Sequence, residues 1–99
     1  QKIRFVCHAV RWTDKVNGNT YHSVRVTRCK DGATVNSSMQ YGYGEQYKQT
    51  ALNLMGNVRW LPVAYRGKDS YLYERENNYP IQWIVTDGLK RDCIANTMK

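Results

Sequence analysis

The sequence predicts an α+β fold, in which a three-stranded antiparallel meander leads into one packed helix and then a C-terminal β-hairpin region (βββαββ-like). Three observations carry this. Asn17-Gly18 and Asp31-Gly32 each separate two β-rich runs, and both dipeptides suit tight turns that need positive φ. Residues 45–55 (EQYKQTALNLM) place apolar side chains at helical spacing. Beyond residue 70, strand-like runs resume around a third Asp-Gly pair, Asp87-Gly88.

The first strand spans residues 2–15, the second 20–30 and the third 33–43. With two-residue turns, Ala9 faces Val26 and Val24 faces Met39. Side-chain alternation then separates two faces. Phe5, Cys7, Ala9, Val24, Val26, Val35, Met39 and Tyr41 form the core face, with His22 as a structural member. His8, Val10, Trp12, Tyr21, Ser23, Arg25, Thr27, Asn36, Ser38 and Gln40 form a polar face bearing aromatics and a cation.

In the helix, Tyr47, Ala51, Leu54 and Met55 fall on one side, Glu45 suits the positive N-terminal end, and Gly56-Asn57 gives a stop. Trp60 to Lys68 reads as a loop around Leu61-Pro62 and Arg66-Gly67, with a short strand at Val63–Tyr65. Tyr71–Glu76, Ile81–Thr86 and Leu89–Ala95 read as strands, the last two joined as a hairpin at Asp87-Gly88.

At 99 residues the chain is one domain, 1–99, and 41% hydrophobic content suits a packed core rather than disorder. No apolar run approaches the length of a membrane span, so no membrane partner is expected. The first dozen residues interleave charge with apolar positions and do not read as a signal peptide. Cys7, Cys29 and Cys93 are odd in number and lack a CxxC pair. They suit neither a disulfide framework nor a zinc site, and point to a reducing cytoplasm.

Charge says more. The chain carries +7 overall. Lys2, Arg4, Arg11, Lys15, Arg25, Arg28 and Lys30 fall in the first thirty residues against Asp14 alone. That asymmetry suits a surface for phosphates. On the polar face, Trp12 and Tyr21 offer flat surfaces for stacking and His8 a hydrogen bond. The expected ligand-binding residues are therefore Arg25, Arg11, Arg28, Lys30, Trp12, Tyr21 and His8. The same face would equally serve to pack under the C-terminal strands or to form a homodimer.

No Walker loop, GxSxG, HExxH or dinucleotide fingerprint occurs. Tyr41-Gly42-Tyr43-Gly44 precedes the helix as a phosphate loop would, but lacks the following lysine and is read as a strand-to-helix bend. Glu74, Glu76, Asp87 and Asp92 would have to cluster to hold Mg²⁺ for a small nuclease. Neither a metal nor a cofactor is expected.

The stretches VNGNTYHSVRVTRCKDGATV, QYGYGEQYKQTAL and YERENNYPIQWIVTDGLKRDC resemble small accessory proteins encoded by bacteriophages and prophages. The resemblance implies work inside a host bacterial cell and carries over no site residues. The expected function is non-enzymatic binding of a phosphate-bearing ligand, nucleic acid or signalling nucleotide, in a counter-defence setting. The alternative is a protein inhibitor of a host factor or defence complex, anti-CRISPR-like in its protein contacts. A metal-dependent nuclease stands third.

Overall fold

A computed structural model describes residues 2–65 and 69–98, so Arg66-Gly67 of the expected loop lies outside the described residues. Two long strands, β1 (Phe5–Asp14) and β2 (Asn19–Arg28), form an antiparallel ribbon. Two short ones, β3 (Thr34–Asn36) and β4 (Gln40–Tyr41), follow along β2. After them come helix α1 (Gln46–Asn57), a 3-10 turn at Val63–Tyr65 and helix α2 (Ser70–Glu76). Strand β5 (Ile81–Asp87) then lies beside β1, and helix α3 (Lys90–Ala95) follows it. The sheet order is β3-β2-β1-β5, with β4 also on β2. The fold is α+β with a mixed sheet.

Both meander turns are longer than expected. The first loop closes with Gly18 N–H donating to the Asp14 carbonyl at 2.7 Å, and the Asp14 carboxylate accepts from Val16 N–H at 3.0 Å. In the second, Asp31 accepts from Ala33 N–H at 3.1 Å, and Arg28 N–H donates to the Ala33 carbonyl. Gly18 and Gly32 take φ of +72° and +75°, the left-handed conformation for which glycine was read there. Ala9 accordingly faces Val24 rather than Val26, and Val26 faces Val35. A slip of two residues leaves every side chain on its expected face.

A slip of one does not, and one occurs between β3 and β4. The chain bulges at Ser38 and Met39, so Tyr41 comes to lie opposite Tyr21 and Gln40 opposite His22. Tyr41 therefore leaves the core face and is 63% exposed.

The core forms where Phe5, Cys7, Ala9, Val24 and Val26 meet Tyr47, Ala51, Leu52 and Met55 of α1 and Tyr73 of α2. Buried His22 sits among them, and burial lowers its pKa, which favours the neutral ring. Its Nδ1 donates to the Gly42 carbonyl at 3.1 Å, and its Nε2 accepts from Thr50 Oγ1 at 2.7 Å.

The expected C-terminal hairpin does not form. Residues 71–76 are helical because Asp69 caps them, accepting from Tyr71 N–H at 2.9 Å. That places Ser70, Tyr73 and Glu74 on one buried side. Chain passing through α1 and α2 re-enters the sheet beside β1, and β5 therefore runs parallel to it. Gly88 N–H extends that pairing to the Arg11 carbonyl at 2.8 Å. Residues 90–95 are helical too: Asp92 accepts from Leu89 N–H at 2.9 Å, and Cys93 and Asn96 bury one face.

Helix α3 crosses the polar face of the ribbon. Ser23 Oγ donates to the Cys93 carbonyl at 2.6 Å, and Asn96 Nδ2 donates to the His8 carbonyl at 3.0 Å. The middle of the face expected to meet a ligand is thus a packed interface, with Val10 and Ser23 buried.

Candidate functional site

Cations gather where β1 begins and β2 ends. Lys2, Arg4, Arg28, Lys30 and Arg59 line a pocket of about 610 Å³ with Ile3, Phe5, Cys29 and Trp60, and among the described residues that line it none carries a carboxylate. Strand pairing sets Arg28 beside Phe5, and both meet the Trp60 indole. The guanidinium carbon lies 4.7 Å from that ring's centre, and the Phe5 ring stacks on it at 5.9 Å. The pair Arg28–Asp31, at 2.6 Å, fixes the direction of the guanidinium. In return, the Arg28 hydrogen bond takes the Asp31 carboxyl down to about 2. Like charges crowded in one pocket repel by roughly 0.5–1 kcal/mol for each pair about 6 Å apart in water. An anion that enters relieves this repulsion.

Arg59 reaches the pocket from an unfavourable backbone. Helix α1 ends with Trp60 N–H donating to the Met55 carbonyl at 2.9 Å and Arg59 N–H to the Gly56 carbonyl at 3.1 Å. That double bond pattern ends helices whose next residue is left-handed, a position dominated by glycine. Here arginine takes it, at φ +61°. A residue with a Cβ carries about 1–2 kcal/mol of strain in that conformation.

The expected site residues divide among five environments. Arg28 and Lys30 are in the basic pocket. Trp12 and Tyr21 stack on one another at 5.2 Å near the far end of the ribbon, with Lys90 Nζ 5.6 Å from the Trp12 ring. Arg11, next to Trp12 but on the opposite face, pairs with Asp87 at 2.9 Å and donates to the Gly44 carbonyl at 3.2 Å. Arg25 donates through Nη2 to the Met98 carbonyl, where the C-terminal segment folds over it. His8 sits beside β5, its Nε2 3.2 Å from Thr86 Oγ1. The structure brings the pairs together but not the set.

In the sequence Lys2 and Arg4 count only toward the N-terminal charge excess and not as ligand-binding residues, and Arg59 and Trp60 are not singled out at all. Arg59 left one readable signal: it follows the helix and its Gly56-Asn57 stop, and precedes an aromatic.

The loop Tyr41–Gly44 opens onto a different cleft, of about 920 Å³, lined also by Glu45, Lys48, Asp69, Tyr71 and Glu74. Carboxylates outnumber cations there, and the first amides of α1 are engaged, Gln46 N–H with the Tyr43 carbonyl and Lys48 N–H with Glu45's. Glycine serves close packing at Gly42, where a Cβ would come within 2.6 Å of Gln46 Cγ. Glu74 is buried and accepts from Trp83 Nε1 at 2.8 Å, and burial pushes its carboxyl above the usual range.

The four carboxylates considered for Mg²⁺ are dispersed. Glu76 accepts from the Tyr65 hydroxyl, Asp87 pairs with Arg11, and Asp92 caps α3. Among the described residues, no group of three or more His, Cys, Asp or Glu side chains is placed to hold a metal. None of the described helices is long and apolar enough to cross a membrane. No family model, curated protein or solved structure matches this chain.

Proposed function

We propose that the protein binds a phosphate-bearing ligand, nucleic acid or signalling nucleotide, without chemistry, in the pocket of Lys2, Arg4, Arg28, Lys30 and Arg59. One observation carries the reading. Arg59 sits in a left-handed conformation that glycine would occupy without strain, and its side chain lines a pocket already crowded with positive charge. Residues held against local preference mark positions where another demand dominates. Relative to the expectation from sequence, this moves the ligand from the polar face, which α3 covers, to one end of the ribbon. A phage accessory role in counter-defence fits the composition and the resemblance and sets the context of the proposal.

A thermal-shift panel of oligonucleotides, cyclic dinucleotides and mononucleotides at two salt concentrations tests it. A specific ligand at a hundred times its dissociation constant raises stability by about 2.7 kcal/mol. A nucleic-acid ligand loses affinity steeply with salt through counterion release, whereas a small nucleotide does so shallowly. Arg28→Glu should remove the shift. No shift with any phosphate compound would reject the reading.

The second reading, a protein inhibitor, is favoured by a different observation. Tyr41, Tyr43 and Tyr71 are 63%, 75% and 58% exposed around the acidic cleft. Tyrosine is enriched at protein interfaces. A protein partner whose binding is lost on Tyr43→Ala, and kept on Arg28→Glu, would put this reading first.

A further inference from the structure

The two edges of the sheet are unequally protected. At one edge β3 has three residues and β4 two, a bulge separates them, and the Asn36 amide is held by the Asn96 carbonyl at 2.9 Å. Short, interrupted strands are a common defence against pairing with another chain. At the other edge lies β5, with seven residues in one unbroken run and no strand on its outer side among the described residues.

The direction of the outward-facing groups follows from the pairing. The Pro80 carbonyl accepts from Arg4 N–H at 2.7 Å, and Gly88 N–H donates to Arg11. Peptide groups alternate sides along a strand, so the even-numbered residues of β5 address β1. The N–H and C=O groups of Ile81, Trp83, Val85 and Asp87 point away from the sheet.

We propose that β5 pairs antiparallel with β5 of a second copy of this chain, across a two-fold axis at Ile84. Ile84 is the middle residue of the strand and is 45% exposed. An isologous contact requires a strand complementary to its own reverse, and β5 is. About that centre, Trp83 opposes Val85 of the second copy, an aromatic against a β-branched residue, and exchanges both hydrogen bonds with it. Gln82 opposes Thr86, and Ile84 opposes itself. No like charges meet, because Ile81–Thr86 is uncharged although the chain carries +7. Antiparallel pairing also sets the two basic pockets at opposite ends of the joined sheet, leaving both accessible.

Disulfide trapping in a Cys29→Ser background provides the test, since Cys29 is the exposed native thiol. Residues opposed in a non-hydrogen-bonded antiparallel pair have Cα atoms about 4.5 Å apart, within disulfide reach. Ile84→Cys should therefore give a covalent dimer under mild oxidation, and Gln82→Cys, opposite Thr86, should not. By sedimentation the unmodified 11.6 kDa chain should run as a dimer. Added salt should strengthen it by screening the charge on each copy. Ile84→Lys should be monomeric with an unchanged circular dichroism spectrum, because the side chain is exposed in the single copy. A chain monomeric at every concentration, equal trapping at positions 82 and 84, or a dimer that survives Ile84→Lys would each overturn the proposal.

Discussion

The two ends of the β1–β2 ribbon are built from the same strands and do different things with their charge. Near the closed end, Arg11 is matched by Asp87 and the aromatics Trp12 and Tyr21 stack on each other. At the open end, roughly 24 Å away along β1, cations from just before β1, from the end of β2 and the residues after it, and from the end of α1 share a pocket lined by no carboxylate among the described residues. Among the described residues, Arg28 is the one of them paired with an acid. A basic residue count does not locate a binding site; the partners left over after folding do.

Charge reversal gives the largest contrast. Arg28→Glu should weaken binding of a phosphate ligand by on the order of a hundredfold, because an attraction becomes a repulsion. Arg11→Gln should leave the affinity unchanged and lower stability by about 0–1 kcal/mol, the range for an exposed ion pair. Titration calorimetry and urea denaturation of both variants check this, and equal losses of affinity would erase the distinction between the ends.

Arg59→Gly should separate function from stability. Affinity falls because a cation leaves the pocket, while folding stability rises by about 1 kcal/mol as the left-handed strain is relieved. For a chain of this length that corresponds to a melting temperature higher by about 4–8 °C. A destabilised Arg59→Gly would remove the argument that this residue is held against its preference.

Trp12→Ala is the matching change at the closed end. Loss of stacking on Tyr21 should cost about 0.5–1.5 kcal/mol beyond the buried area, with ligand affinity untouched. Loss of binding in this variant would return the site to the aromatic end.

Two buried groups give the smallest effects, with opposite signs in pH. Burial lowers the His22 pKa, so the unfolded chain binds the proton more readily. His22's contribution is complete above the ordinary histidine value and is lost as pH falls below it. Burial raises the Glu74 pKa, so the folded chain holds that proton more tightly. Its effect is a penalty that appears as pH rises through and above the usual carboxylate range. Glu74→Gln keeps an acceptor for Trp83 Nε1 and should raise the melting temperature at neutral pH but not at strongly acidic pH. The melting curve against pH reads both.

Local signals made the first half of the fold legible, and long-range ones hid the rest. Alternation assigned the faces of β1 and β2 correctly despite a two-residue error in each turn, because a shift of two preserves faces. The bulge at Ser38 and Met39 left no such safeguard, and Tyr41 was misplaced. Tyr71–Glu76 carries strand-forming tyrosines, yet the Asp69 cap and the packing of Tyr73 make it helical. In Leu89–Ala95 only Cys93 is buried within the helix proper, too little for a periodic signal. The parallel seat of β5 depends on where two helices deliver the chain, which no local pattern records. Of the site, Arg28 and Lys30 were legible as basic strand residues. Lys2, Arg4 and Arg59 join them only through tertiary structure.

The central claim is that the pocket, not the polar face or the aromatic end, receives the ligand. Mapping amide chemical-shift changes on titration with a 5′-phosphorylated oligonucleotide, and separately with a cyclic dinucleotide, tests it most directly. The account predicts that the perturbed amides cluster at residues 2–5, 28–32 and 59–60, and vanish in Arg28→Glu. Perturbations centred on Trp12, Tyr21 and Lys90 instead, or spread evenly over the sheet, would contradict it.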